Sequence, residues 1–233
     1  MVWSNDFIEW LSTKGRSLGI NINIYSFILN LGYPRCYQQL MLDALNDKDI
    51  ELIHFVDQDD YCLSNRFSNR SISNTQASSI LITNEYLIPF KHYTFDGIND
   101  LTVLGTPTPG MSFSVPRSII EEYIALCEFN NFTKKMAHDF VISQISIHKK
   151  LMSSTNNMSM LYIQHAANTI GQATGLAWMT QKILNIKLIL KRKKENAILL
   201  GLIYGEQRWL DNSRLHRNKI IDIALRIYFK FNS

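Results

Sequence analysis

Glu51-Leu52-Ile53-His54-Phe55-Val56 runs directly into Asp57-Gln58-Asp59-Asp60, an apolar run that delivers three carboxylates within four residues. A short β-branched and aromatic run bounded by polar residues reads as a buried strand. In open α/β sheets, ligands collect beyond the carboxyl ends of the strands, which is where these carboxylates fall. Carboxylates this close repel one another unless a cation lies among them. Hard oxygen ligands suit Mg2+ or Mn2+, which keep some waters and complete their shell with substrate phosphates. The pattern therefore points to a nucleotide-diphosphate ligand, although Asp clusters after strands also solvate turns or cap helices.

Outward from this run, the chain alternates helix and strand: helix over 5–14, strand over 20–26, a turn at Asn30-Leu31-Gly32, helix over 34–46 and strand over 50–56. That order is expected of a parallel α/β sheet. Residues 62–78, rich in Ser, Asn and Arg, read as a loop, followed by strands at Ser79–Thr83 and Tyr86–Phe90. The turn-prone Gly105 to Gly110 leads to a strand at Met111–Val115 and, through Pro116, to a helix over 117–129.

Four segments, in order, resemble bacterial family 2 glycosyltransferases of the rhamnosyltransferase-like branch. "FVDQDDYC" at Phe55 to Cys62 is similar to the family's "FSDQDDIW", and Asn30-Leu31-Gly32 to its "NLG" turn. "MAHDFVIS" at Met136 to Ser143 resembles "HDWW", and "YIQHAANTIG" at Tyr162 to Gly171 resembles "YRQHGNNVIG". Together they span roughly residues 6 to 172, and ordered matches carry more weight than any one motif.

The resemblance implies a GT-A-like (Rossmann-like) α/β fold, a mixed sheet flanked by helices, and inverting, metal-dependent transfer of a sugar from a nucleotide-diphosphate donor to a glycan or lipid-linked acceptor. It implies Asp59 as a direct Mg2+ or Mn2+ ligand, Asp57 on the ribose or the metal's shell, and Asp60 orienting the donor. Asp139 would be the general base, with helix N-cap as its alternative reading. Gly110, Met111 and Ser112 resemble the "TGCTM" segment lining the donor pocket, where Gly permits close backbone approach. His165 would lie near the diphosphate or metal.

The same resemblance marks departures. No "SDDGS"-like nucleotide-binding strand is matched, so an amino-terminally truncated domain, half of a split enzyme or an inactive remnant is expected. Ile163 stands where the family has arginine, and Ala166-Ala167 replace Gly-Asn.

Composition bounds the rest. The chain has 233 residues, 46% hydrophobic and 19% charged, ordinary for a globular fold. Cys36, Cys62 and Cys127 lack metal-ligand spacing and read as reduced thiols, in keeping with a cytoplasmic protein. The four tryptophans, Trp3, Trp10, Trp178 and Trp209, are expected in packing rather than sugar stacking.

Charge divides the chain near residue 173. Residues 182–233 hold 12 of the 24 Lys and Arg but 4 of the 20 acids, a net of +8 that leaves −4 in residues 1–181. Leu176, Met179, Ile183, Ile186 and Leu190, then Ile220, Ala224, Ile227 and Phe231, recur at helical spacing. By the resemblance, residues 1–172 would form a partial glycosyltransferase GT-A-like domain, and the change in charge and periodicity sets off 173–233 as a basic amphipathic helical region. That region suits the inner face of an anionic membrane, or packs back on the domain. Nucleic acid is not expected as a partner, since no recognition motif or interleaved aromatics accompany the basic run.

Overall fold

The computed structural model describes residues 5–25, 31–57, 59–68, 70–94, 110–131, 133–164, 186–205 and 219–232. The chain divides into two compact units, Met1–Gly32 and Tyr33–Ser233.

In the first unit, helix α1 (Asn5–Ser17) ends in a Schellman turn. Gly19 takes φ +67°, Ile20 N–H donates to Gly15 O at 2.9 Å, and Gly19 N–H donates to Arg16 O at 3.1 Å. The strand expected over 20–26 does not form in its described part, residues 20–25. A strand exists through its ladder, and no described strand pairs with this segment, which leaves Ile20, Ile24 and Tyr25 exposed. Trp10 is likewise no core residue: it is 58% exposed and stacks on Phe7 of the same helix at 5.8 Å. Trp3, Trp178 and Trp209 lie outside the described residues.

The second unit is a mixed sheet with helices. In chain order it runs α2 (Tyr33–Asn46), β1 (Leu52–His54), β2 (Tyr61–Cys62), β3 (Thr75–Asn84), β4 (Pro89–Tyr93), β5 (Phe113–Pro116), α3 (Arg117–Phe129), α4 (His138–His148), β6 (Met152–Gln164), α5 (Ile186–Tyr204) and α6 (Lys219–Asn232). The strand order is β1-β5-β3-β6-β2, with β4 paired to the carboxyl half of the edge of β3 whose amino half takes β5. Only β3 and β6 run parallel; the other pairs among the described residues are antiparallel. The mixed sheet flanked by helices is as expected, whereas the parallel order suggested by helix–strand alternation is corrected, because β5 and β2 return antiparallel beside β1 and β6.

The strand expected over 50–56 is shorter, Leu52–His54, although Phe55 N–H still donates to Phe113 O at 3.3 Å. The loop expected over 62–78 contains a 3-10 turn (Ser64–Phe67) and gives way to β3 at Thr75. The Tyr86–Phe90 strand is displaced to β4, because Asn84 Oδ1 accepts from Tyr86 N at 3.0 Å and Ile88 N at 2.9 Å and locks a turn there. Gly110–Ser112 is a 3-10 turn rather than the start of β5, whereas α3 spans 117–129 as expected.

The core collects Met41 of α2, Phe55, Ala77 and Ile80 of β3, Phe113 and Val115 of β5, Ile119, Ile120 and Tyr123 of α3, and Phe140, Val141, Ile142 and Ile145 of α4. Each fully buried aliphatic or aromatic side chain contributes about 1.5–3 kcal/mol. α4 is buried nearly all round, which is why its sequence, rich in Ile, Val and Phe, lacks a polar stripe. Arg117 fastens α3 to the end of α2 by donating to Leu45 O and Asp47 O at 2.6 Å each. In the carboxyl-terminal region, α5 and α6 confirm the helical reading where residues are described; the stripe from Leu176 to Ile183 lies outside them. No helix among the described residues is long and apolar enough to cross a membrane.

Candidate functional site

The acidic loop starts where β1 ends. Asp60 N–H donates to Asp57 O at 3.2 Å, a turn that folds the carboxylate-bearing residues back on themselves. Immediately afterwards β2 pairs with β6, Tyr61 opposite Leu161, and brings Asp60 beside the end of β6. There Asp60 Oδ1 accepts from Ile163 N at 3.1 Å. The Tyr162 hydroxyl is held above its ordinary pKa by burial and then by Asp60, Asp59 and Asp57, so all three carboxylates act on it. Asp57, Asp59 and Asp60 are each half-buried.

α2 supplies the next wall. Tyr33 and Tyr37, one helical turn apart, share a face. The Tyr37 hydroxyl donates to Asp57 Oδ1. Burial raises the Asp57 carboxyl above its usual range, the Tyr37 hydrogen bond opposes this, and Asp59 adds to it.

His138 and Asp139 open α4. His138 is 1% exposed and enclosed by aromatic rings: Tyr37 stacked at 4.1 Å, Phe55 at 4.9 Å and Tyr33 at 5.2 Å between centroids. Neither ring nitrogen has a hydrogen-bond partner among the described residues, and burial lowers the pKa to about 3, so the imidazole is neutral at pH 7. Asp139 is not the N-cap, a position held by Ala137; it lies in the first turn, where its Oδ1 accepts from Phe140 N at 2.7 Å. Burial pushes its carboxyl up to about 6, the Phe140 amide draws it back, and the charge of Asp57 raises it again. A carboxylate so poised is a stronger base than a free aspartate and still ionised at neutral pH. It keeps part of its surface open.

The 3-10 turn closes the site. Gly110, Met111 and Ser112 are all buried. A Cβ on Gly110 would lie 2.9 Å from His138 Nε2 and 3.1 Å from Asp139 Cβ. The close approach expected at this glycine is therefore made to His138 and Asp139.

Three groups of site residues named from the sequence thus converge: the acidic loop, the Gly110 turn and Asp139. His165 lies outside the described residues, one position beyond β6. Among the described residues, no group of three or more His, Cys, Asp or Glu side chains is placed to hold a metal ion. Sequence reasoning missed Tyr33, Tyr37 and the ring contacts of His138. The spacing of the two tyrosines on a helix just before the metal-strand candidate was an available signal. No family model, curated protein or solved structure matches the chain.

Proposed function

We propose that this chain carries the acceptor-side and metal-side parts of a glycosyltransferase of family 2 type, with a GT-A-like arrangement. It transfers a sugar from a nucleotide-diphosphate donor to a hydroxyl of a glycan or lipid-linked acceptor. One observation carries the reading: Asp57 and Asp139, 82 positions apart and named independently from two motifs, flank one tyrosine face of α2, where both act on Tyr33 and Asp57 hydrogen-bonds Tyr37, whose ring stacks on His138 beside Asp139. Tyr162 and Ile163, from a third motif, meet the acidic loop, Ile163 N–H through Asp60 and Tyr162 through the charges of Asp60, Asp59 and Asp57.

In this mechanism Asp139 removes the proton of the attacking acceptor hydroxyl. Asp59, with Asp57, offers hard oxygen ligands, and two carboxylates with substrate phosphates suffice for Mg2+ or Mn2+. A metal held by Asp59 and Asp57 would supply charge neutralisation for the leaving diphosphate. Asp60, tied to the Ile163 amide, orients the loop toward the donor, while Gly110, Met111 and Ser112 line the donor pocket and His165 contributes near the diphosphate. The basic, partly apolar exposed faces of α5 and α6 suit an anionic inner membrane surface beside a lipid-linked acceptor, which supports that location.

A second reading, a binding module without catalysis, is favoured by the engagement of Asp57 with the Tyr37 hydroxyl and by Ile163 in place of a phosphate-gripping arginine. Calorimetric titration with UDP and dTDP, with Mn2+ or Mg2+ and then with chelator, tests both. Metal-dependent binding abolished by Asp59→Ala, with transfer lost in Asp139→Asn while binding persists, is expected of the enzyme. Binding without transfer supports the module, and a folded chain that binds neither nucleotide overturns the donor site.

A further inference from the structure

Arg66 is fully buried, at 0% exposure, and stands on the 3-10 turn six residues after Asp60. None of the ion pairs of the described residues includes it. Its four hydrogen bonds go instead to uncharged oxygens: Nη1 donates to Ser114 Oγ at 2.9 Å, and Nη2 to Phe55 O at 3.2 Å, Met111 O at 3.0 Å and Phe113 O at 2.7 Å. Burial lowers its pKa to about 10, which leaves it charged at neutral pH. A buried cation with no carboxylate is costly, and since Nε has no partner among the described residues, the bonds of Nη1 and Nη2 to these acceptors are what hold it in place.

The acceptors come from two segments of the candidate site. Phe55 lies two residues before Asp57, so the Arg66 side chain closes the neck of the loop carrying Asp57, Asp59 and Asp60. Met111 lies in, and Phe113 directly follows, the turn whose Gly110 abuts His138 and Asp139. Ser114 Oγ, which accepts from Arg66, also shares a hydrogen bond with His54 Nδ1 at 2.9 Å, which extends the tie to β1.

We propose that Arg66 is a positioning residue that holds the acidic loop and the Gly110 turn in register, and thereby sets the spacing between the donor-side carboxylates and Asp139. The inference rests on the glycosyltransferase reading for its catalytic meaning, but not for its structural content. Lysine keeps the charge yet presents a single nitrogen, which cannot span oxygens on both segments with the geometry of a planar fork.

The test compares wild type with Arg66→Lys, Arg66→Met and Ser114→Ala by residue-resolved amide exchange and by titration with UDP and Mn2+. For Arg66→Lys, exchange is expected to rise about tenfold or more at Asp59, Asp60, Met111 and Phe113, with Ile80 and Ile82 in β3 unchanged. UDP–Mn2+ affinity should fall by about tenfold, and Ser114→Ala should show a smaller, turn-centred change. Exchange that is unchanged, or that rises equally in β3, overturns the proposal, as does unaltered nucleotide affinity in Arg66→Lys. If wild type binds no nucleotide, the glycosyltransferase reading fails, and the exchange pattern alone decides the role of Arg66. If Arg66→Met does not fold, Arg66→Lys and Ser114→Ala carry the decision.

Discussion

Gly110 approaches His138 so closely that a single added methyl carbon would lie 2.9 Å from Nε2. Neither side can yield easily, since His138 is stacked on Tyr37 at 4.1 Å and the turn is held by the Met111 carbonyl bond to Arg66. Gly110→Ala is expected to destabilise the fold by about 1–3 kcal/mol, the usual cost of overpacking. Chemical denaturation measures this; a variant as stable as wild type would mean that the turn moves freely away from α4.

Two buried imidazoles and one buried carboxyl give stability a pH dependence of mixed sign. His138, lowered to about 3, and His54, lowered to about 4 by burial, Arg66 and Arg70, stabilise the fold above the unfolded pKa near 6.5. That contribution is lost as pH falls toward those values. Asp139, raised to about 6, acts oppositely, since its contribution is present near pH 4 and lost as pH rises through 6. Each buried imidazole costs up to about 1.4 kcal/mol per pH unit across its window. His138→Phe should flatten the acid limb between pH 6.5 and 3 while leaving the opposite-signed Asp139 loss between about pH 4 and 6. Urea denaturation at several pH values checks this, and an unchanged acid limb would exclude His138 as its source.

Lys150 ends α4 in the left-handed region, φ +59°, within a Schellman turn in which Leu151 N–H donates to Ser146 O at 2.8 Å. A side chain there carries a strain that glycine avoids. Since Lys150 is exposed, little packing is lost, and Lys150→Gly is expected to stabilise the protein by about 1 kcal/mol, raising the thermal midpoint by a few degrees. A lower midpoint would refute the left-handed assignment.

The exposed faces of α5 and α6 combine apolar and basic groups. Ile198 and Leu202 share a face with Lys191 and Lys194, and Ile223 and Ile227 with Lys230, all of them exposed. Such faces fit a surface of anionic headgroups. Flotation with phosphatidylglycerol vesicles should show binding that phosphatidylcholine vesicles do not support. It should fall with added salt and drop by about tenfold or more in Ile223→Asp/Ile227→Asp. Salt-insensitive binding, or none to either lipid, would remove the membrane surface as a partner.

Much of this was legible from local pattern. α3 was readable because Pro116 and the 3.6-residue recurrence of Ile119, Ile120, Tyr123 and Cys127 both act within the segment. The acidic loop was readable because three carboxylates after an apolar run are informative whatever surrounds them. The strand misread at residues 20–26 had the composition of a strand, but composition supplies no partner for its hydrogen bonds. The antiparallel returns of β2 and β5 were invisible for the same reason, since strand direction is a property of pairs.

The sequence by itself determined the element types with strong local period, the charge division near residue 173, and the residues Asp57, Gly110 and Asp139 as worth bringing together. Tertiary structure alone decided that they do come together. Asp139 owes its basicity to burial and to Asp57, both set by packing across long sequence separations. His138 became neutral because three aromatic rings exclude water from it. Arg66, one basic residue in a polar stretch, acquired its place because the ends of β1 and β5 turn four oxygens toward one guanidinium. Burial and hydrogen bonding between distant segments depend on how the elements pack, and no local window of residues encodes that.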